Sequence, residues 1–337
     1  MNKIIVNGGR RLAGEVAIGG SKNAALPILF AGILTADVCV FSALPRVSDV
    51  LITLEILRCL GARIRFYENG DVVIDYRDMR PVLPSPALTG AIRGSVYLLG
   101  AMLGRFGKAL LAGAGGCDFG KRPIDQHLLG FSLLGATEEQ IGDALCLSAK
   151  KGLNGAEIRL KMPSVGASAN LMMAATAANG ETLIKNAAAE PHVCALADFL
   201  TAAGAVLCGV GTDTVRVLGG KPLHGCHFTM IPDMIEAGTY LAACMATGGE
   251  ITVTNVDPTH LEAVLSALRE MGAVLRVTKT AIFLRAPESY KSLSLQTGPY
   301  PAFPTDLHPQ FATLFALAPR ATGEGSVEEL VVDSRFR

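Results

Sequence analysis

The chain has 337 residues, half of them hydrophobic, and its 30 basic and 30 acidic side chains cancel. That length suffices for two domains with separate cores, and the balanced charge excludes a whole-molecule field favouring nucleic acid or an anionic membrane. The opening MNKIIVNGGRRLAG lacks the long apolar core of a secretory leader, and the apolar residues 95–115 are interrupted by Arg105 and Lys108, so the expectation is a cytoplasmic protein with no membrane span. Eight cysteines are scattered without a CxxC pair, mostly among Val, Leu and Ala, which reads as small core residues in a reducing compartment. With no Trp and abundant Gly and Ala, packing should rest on close contact between small-faced helices.

In chain order, the first predicted helix covers residues 22–34 and is entered through Gly19, Gly20 and Ser21. Ser21 can cap it, and free N–H groups beside Lys22 would suit a phosphate; a capped surface helix with a solvated lysine is the plainer reading, since GxxxxGK[ST] is absent. Val47, Val50, Leu51, Leu54, Ile56, Leu57 and Leu60 recur near helical spacing, with Asp49 in the first turn. Leu60, Gly61 and Ala62 close that helix, and the phrase returns as Leu134, Gly135, Ala136, as Ala203, Gly204, Ala205 and as Met271, Gly272, Ala273, about seventy residues apart. Each such glycine reads as a helix stop that tolerates positive φ. Further small-residue helices are predicted at 93–103, 168–178 and 236–246, each followed by a β-branched run such as Glu250–Thr254. The chain is thus an α/β repeat of helix, strand, helix, strand.

Between the second pair of helices lies Gly113, Ala114, Gly115, Gly116, Cys117, Asp118, Phe119, Gly120, Lys121, Arg122. Glycines around a cysteine describe a loop whose backbone can approach a ligand, and Lys121 and Arg122 would acidify the thiol if they face it; an ordinary surface loop with a buried cysteine fits the composition as well. Arg93 is the single charge entering an apolar helix, either held by a partner or ligand or snorkelling to water. Residues 162–168 set small and hydroxyl side chains before a helix, as either a phosphate seat or a plain helix start. His224, Cys226 and His227 are too close in sequence to surround one ion without distant ligands, so no metal is assigned. Asp306 follows two prolines and is either a helix cap or a general base. A fifth repeat begins there with DLHPQFATLFAL, turns at residues 323–325 and makes a strand over 326–332.

SKNAALPIL, PRVSDV, the GGCxxGxRPID loop, SVGAS, PDxIEAGT and PAFPTD occur together in the order seen in UDP-N-acetylglucosamine 1-carboxyvinyltransferases, which the whole chain resembles. The resemblance implies repeated helix-strand units forming a two-domain inverse α/β barrel, the enolpyruvyl transferase fold. One domain would be residues 22–227 with three repeats; the other would be 1–21 plus 228–337, incomplete, with the final one and a half repeats missing. It implies the small-molecule substrates phosphoenolpyruvate and UDP-N-acetylglucosamine, no cofactor, no nucleic acid and no membrane, and leaves the oligomeric state open. Cys117 would be the proton donor to the methylene carbon of phosphoenolpyruvate and the group alkylated by fosfomycin. Lys22 and Asn23 match the phosphoenolpyruvate side, and Arg93 and Arg122 match further arginines of the site, with Lys22 and Arg122 also counted as catalytic. Arg122, Pro123, Ile124, Asp125 and Gln126 match the run that holds the uridine nucleotide. Met162, Pro163, Ser164, Val165 and Gly166 match the diphosphate-contacting turn, Val331 a sugar contact and Arg335 another site arginine. Asp306 matches the carboxylate beside the sugar 3-hydroxyl. Met162 and Met234 stand where family members carry lysine and arginine, each subtracting a positive charge. Two activities remain open on these residues: the transferase, or an inactive, shortened paralogue that binds nucleotide sugar.

Overall fold

A computed structural model describes residues 5–113, 123–291 and 293–318. A first strand, β1 (Ala13–Ala17), precedes the first repeat, which is α1 (Lys22–Ala31), β2 (Val38–Ser42), α2 (Ser48–Cys59), β3 (Arg63–Phe66) and β4 (Val72–Asp75). After α3 (Pro86–Ala91), the second repeat is α4 (Leu98–Phe106), β5 (Lys108–Ala112), α5 (Asp125–Leu133), β6 (Thr137–Ile141) and β7 (Ala144–Ser148). Strand β8 (Glu157–Arg159) leads into the third: α6 (Val165–Thr176), β9 (Glu181–Lys185), α7 (Pro191–Ala202), β10 (Val206–Cys208) and β11 (Thr214–Leu218). Strand β12 (His227–Thr229) precedes the fourth: α8 (Met234–Thr247), β13 (Glu250–Thr254), α9 (Glu262–Glu270), β14 (Val274–Val277) and β15 (Ala281–Arg285). Helix α10 (His308–Leu317) follows.

Every repeat places its third strand between its first and second, all antiparallel, as in β2-β4-β3 and β13-β15-β14. In three sheets a leading strand then adds in parallel to the first strand: β12 on β2, β8 on β9 and β1 on β13. Residues alternate between buried and partly exposed along β2, β9 and β13, so each sheet covers the core with one face. The four repeat glycines Gly61, Gly135, Gly204 and Gly272 have φ of 105°, 97°, 102° and 101°, a conformation that a side chain resists and that ends the preceding helix.

Chain contacts divide the molecule into two units, Gly20–Ile231 and a second that joins the residues up to Gly19 to those from Pro232 onward. Strand β12 belongs to the larger unit because it completes the sheet of the first repeat, so Phe228 lies in that unit. The larger core surrounds α1 and α6: every residue from Ala24 to Ala31 and from Ala167 to Thr176 is buried, so both helices are mostly apolar all round, and the buried Ser168, Asn170 and Thr176 of α6 are hydrogen-bonded. Small residues let them be approached closely. A Cβ on Gly100 of α4 would lie 2.3 Å from the Asn170 carbonyl oxygen of α6. The smaller core gathers Leu241, Met245, Val253, Leu265, Leu268, Ile282, Leu284 and Phe311.

Several predicted boundaries shift, each for a local reason. Helix α1 tightens into a 3₁₀ turn at Gly32–Thr35, where the Thr35 hydroxyl donates to the Gly32 carbonyl. The helix expected from residue 93 opens as a 3₁₀ segment, Arg93–Tyr97, because the Ser95 hydroxyl bonds back to the Thr89 and Ile92 carbonyls. Helix α6 starts three residues before residue 168, since Ser164 caps it. Asp233 starts α8 early, accepting from the N–H groups of Ile235 and Glu236. Arg105 is half-buried and donates to the carbonyls of Ile33, Tyr76 and Arg77; a residue read as breaking an apolar stretch ties the second repeat to the first. Cys39, Cys146 and Cys244 are buried, whereas Cys59 and Cys208 are exposed, so the core reading of the cysteines holds only in part. No helix among the described residues is long and apolar enough to cross a membrane. The turn and strand expected at residues 323–332 lie outside the described residues.

Candidate functional site

In the larger unit, Ser21 caps α1 by accepting from Ala24 N–H at 3.3 Å, which points the first turn, with Lys22 and Asn23, away from the buried body of the helix. Lys22 Nζ lies 3.3 Å from Asp49 Oδ2, with the two side chains 44% and 33% exposed. Asp49 occupies the first turn of α2. The lysine is therefore held by a neighbour of the same repeat while remaining open to water, a geometry in which an ion pair adds little stability but orients an ammonium group.

A second grouping joins α5 to α6. Ile124 precedes α5, and Asp125 and Gln126 form its first turn. Gln126 Oε1 accepts from the N–H groups of Lys161 at 2.7 Å and Met162 at 3.4 Å, and Lys161 Nζ is 3.5 Å from Asp125 Oδ2. The run from Pro123 to Gln126 and the turn from Met162 to Gly166 are thus brought together, although about forty residues separate them. Ser164 caps α6, its Oγ accepting from Ala167 N–H at 3.3 Å. Met162 and Pro163 are exposed; Ser164, Val165 and Gly166 are half-buried.

Beneath Gly166 lies His127, 6% exposed, whose Nδ1 is 2.9 Å from Asn170 Nδ2. Burial, then the positive charge of Arg93, push this imidazole down to about 4, opposed by the Asp125 carboxylate. Arg93 opens the 3₁₀ segment before α4. Its charge also reaches Tyr97, whose hydroxyl is raised to about 12 by burial and by the Glu190 carboxylate. The arginine therefore sits close to buried, titratable side chains rather than snorkelling alone.

In the smaller unit, Pro304 precedes a 3₁₀ turn, Thr305–Leu307, that contains Asp306 and leads into α10. Asp306 is exposed, while Leu307 is buried against α8 and anchors the turn. Cys117, Lys121, Arg122, Val331 and Arg335 lie outside the described residues. His224 and His227 face different partners, Nδ1 of the first 3.1 Å from the Gly225 carbonyl and Nε2 of the second 2.7 Å from Ser42 Oγ. Among the described residues no group of His, Cys, Asp and Glu is arranged to hold a metal. Reading the sequence named Asp49 only as a first-turn residue and did not single out His127 or Asn170. The first carried a signal in its helix-start position; the other two are linked only through packing.

The profile of the EPSP synthase (3-phosphoshikimate 1-carboxyvinyltransferase) family matches residues 6–337. The chain is 44% identical over its whole length to UDP-N-acetylglucosamine 1-carboxyvinyltransferase 2 of Listeria innocua, covering 78% of that protein. It is 42% identical to UDP-N-acetylglucosamine 1-carboxyvinyltransferase 3 of Caldanaerobacter subterraneus, covering 80%. Among solved structures, the enolpyruvyl transferase NikO from Streptomyces tendae aligns with a TM-score of 0.82 at 22% identity, over 92% of this chain and 74% of that one. EPSP synthase from Acinetobacter baumannii aligns at 0.66 and 20% identity, over 87% and 68%. At such identities the structural likeness speaks for the fold alone, and the repeated helix-strand architecture is that of these transferases.

Proposed function

Because the chain belongs to the EPSP synthase family of 1-carboxyvinyltransferases, we propose that it transfers the enolpyruvyl group of phosphoenolpyruvate to the 3-hydroxyl of UDP-N-acetylglucosamine and releases phosphate. The observation that carries the choice of acceptor is the identity of 42–44% along the whole chain to proteins named for that nucleotide sugar. The geometry supports it: Gln126 binds the turn before α6 to the start of α5, which sets a capped helix N-terminus beside the run expected to hold uridine. On this reading the product starts peptidoglycan precursor synthesis, a cytoplasmic step.

Addition begins when the Cys117 thiol gives its proton to the methylene carbon of phosphoenolpyruvate, making C2 electrophilic. The sugar 3-hydroxyl oxygen bonds to C2 and its proton passes to the Asp306 carboxylate. In the tetrahedral intermediate the C2–O bond to phosphate then breaks, the new methyl group returns a proton to the Cys117 thiolate, the proton on Asp306 leaves with the phosphate, and the enolpyruvyl ether and phosphate result. Lys22, Arg93 and Arg122 supply positive charge for the phosphate and carboxylate of phosphoenolpyruvate. Lys121 and Arg122 near the thiol would make it a stronger acid that is protonated for less of the time at neutral pH.

Phosphate release from phosphoenolpyruvate tests the reading. Release should require UDP-N-acetylglucosamine, should not occur with shikimate 3-phosphate as acceptor, and should be lost in Cys117→Ser. Release supported by shikimate 3-phosphate alone would overturn the acceptor, and none from folded protein would favour the inactive nucleotide-sugar binder.

A further inference from the structure

Two cysteines that the sequence scatters far apart meet on one face of the first sheet. Strand β12, at the edge of that sheet, pairs in parallel with β2, His227 beside Val40, Phe228 beside Phe41 and Thr229 beside Ser42. The pairing extends one residue back, because Val40 N–H donates to the Cys226 carbonyl at 2.9 Å, so Cys226 stands beside Cys39. Side chains two residues apart on a strand share a face. Phe41 and Phe228 both reach the Phe199 ring of α7, their ring centroids 5.8 and 5.7 Å from it, and Cys39 and Cys226 precede them by two. Both thiols therefore point into the larger core. Cys39 is fully buried, while Cys226 is half-buried at the open side of the edge strand.

Neighbouring strands hold facing residues about 4.8 Å apart, inside the roughly 4.4–6.8 Å between Cα atoms that a disulfide spans. The two thiols already hydrogen-bond with each other. One proton shared in an S–H···S bond makes the first ionisation of the pair easier and the second harder. Cys39 is brought down to about 7 by that bond with Cys226, against burial and the negative charge of Asp37, and Cys226 is pushed up. Because the proton can pass between the sulfurs, the thiolate can stand at the half-buried Cys226, where a small oxidant reaches it. Cys59 and Cys208 are more exposed, so accessibility alone would send an oxidant to them first.

We propose that Cys39 and Cys226 form a dithiol site for hydrogen peroxide, which closes into a reversible disulfide that clamps β12 to β2. The Cys226 thiolate attacks one peroxide oxygen; an S–O bond forms, the O–O bond breaks and hydroxide leaves. The Cys39 sulfur then attacks Cys226 Sγ, the S–S bond forms and the S–O bond breaks, releasing a second hydroxide. The two hydroxides take up the two thiol protons, so two thiols and one peroxide give one disulfide and two waters. In a reducing compartment the bond is transient, because free thiols reduce it again. The site uses no residue expected to meet substrate and does not depend on the transferase reading.

Peptide mapping of the unsubstituted protein tests the site without a variant that must fold. The folded chain is treated with hydrogen peroxide, unfolded in iodoacetamide to block remaining thiols, and digested without reductant. The Cys39 and Cys226 peptides should appear joined, lighter by two hydrogens than their sum, before Cys59 and Cys208 are oxidised, and dithiothreitol should part them. Recovery of Cys39 and Cys226 as alkylated thiols after Cys59 and Cys208 have been oxidised overturns the site, as does a bond from either to a different cysteine. The urea midpoint should rise on oxidation and return with dithiothreitol, since the bond closes a long loop and holds an edge strand. Cys226→Ser should lose both the joined peptides and the rise. A joined pair with an unchanged midpoint, or an equal rise in Cys226→Ser, overturns the clamp.

Discussion

Asn170 shows how much one polar side chain can organise. It reaches from α6 to the first turn of α4, where Gly100 N–H has no partner in its own helix, and also satisfies Val96 and His127. Replacing it with Ala leaves several buried groups unmatched, and urea unfolding should report a loss of about 2–4 kcal/mol. His127 links this cluster to pH. Unfolded, it titrates near 6.5, whereas in the folded chain it titrates at about 4. Between those values the unfolded state holds more protons. The contribution is therefore complete above about pH 6.5 and declines as pH falls toward 4, by up to about 3 kcal/mol. Urea midpoints measured from pH 7 to 4 should fall less steeply in His127→Asn than in the parent; parallel curves would refute the buried neutral imidazole. Gly166→Ala would push a methyl group to 3.0 Å from the same ring, and weaker UDP binding should accompany a stability loss of about 1–3 kcal/mol.

The repeated element is a helix ended by a glycine at φ near 100° and returned as a strand. Ala at Gly272 should cost about 1–2 kcal/mol, because the left-handed backbone strains any side chain and its surroundings offer only ordinary contact, 3.6 Å to Pro287. Ala at Gly61 should cost more, since the added Cβ would also stand 2.7 Å from the Asp78 carbonyl oxygen. Chemical denaturation of both variants checks the order, and equal losses would mean that backbone strain alone matters. Helix starts follow the same local logic, with Ser21, Ser164 and Asp233 all accepting from first-turn N–H groups. The Ser21 start and the glycine stops were readable beforehand because a cap and a stop act within four residues, whereas the helices at Val165 and Met234 start earlier than the apolar pattern suggests. The 3₁₀ opening at Arg93 was not readable, since the Ser95 hydroxyl competes for nearby carbonyls in a way that the apolar pattern does not record.

For the whole molecule, the larger unit is closed by its own chain: β12, almost two hundred residues after β2, pairs beside it in parallel and covers an edge that would otherwise be open. Residues 20–231 expressed alone should therefore unfold cooperatively, and ending the fragment at residue 226 should lower its urea midpoint; no difference would show that β12 is dispensable. The sequence by itself determined the repeat, its helix stops, the Ser21 cap and the family, and it supplied the expectation of which residues meet phosphoenolpyruvate and nucleotide sugar, because local backbone chemistry and ordered motifs are written in neighbouring positions. Only the tertiary structure decided that Asp49 holds Lys22, that Arg105 satisfies three carbonyls of the preceding repeat, and that Asn170 meets the buried imidazole of His127 beneath Gly166. Those contacts join residues 27 to 72 positions apart, and no periodicity along the chain encodes which buried donor will face which acceptor once the helices pack.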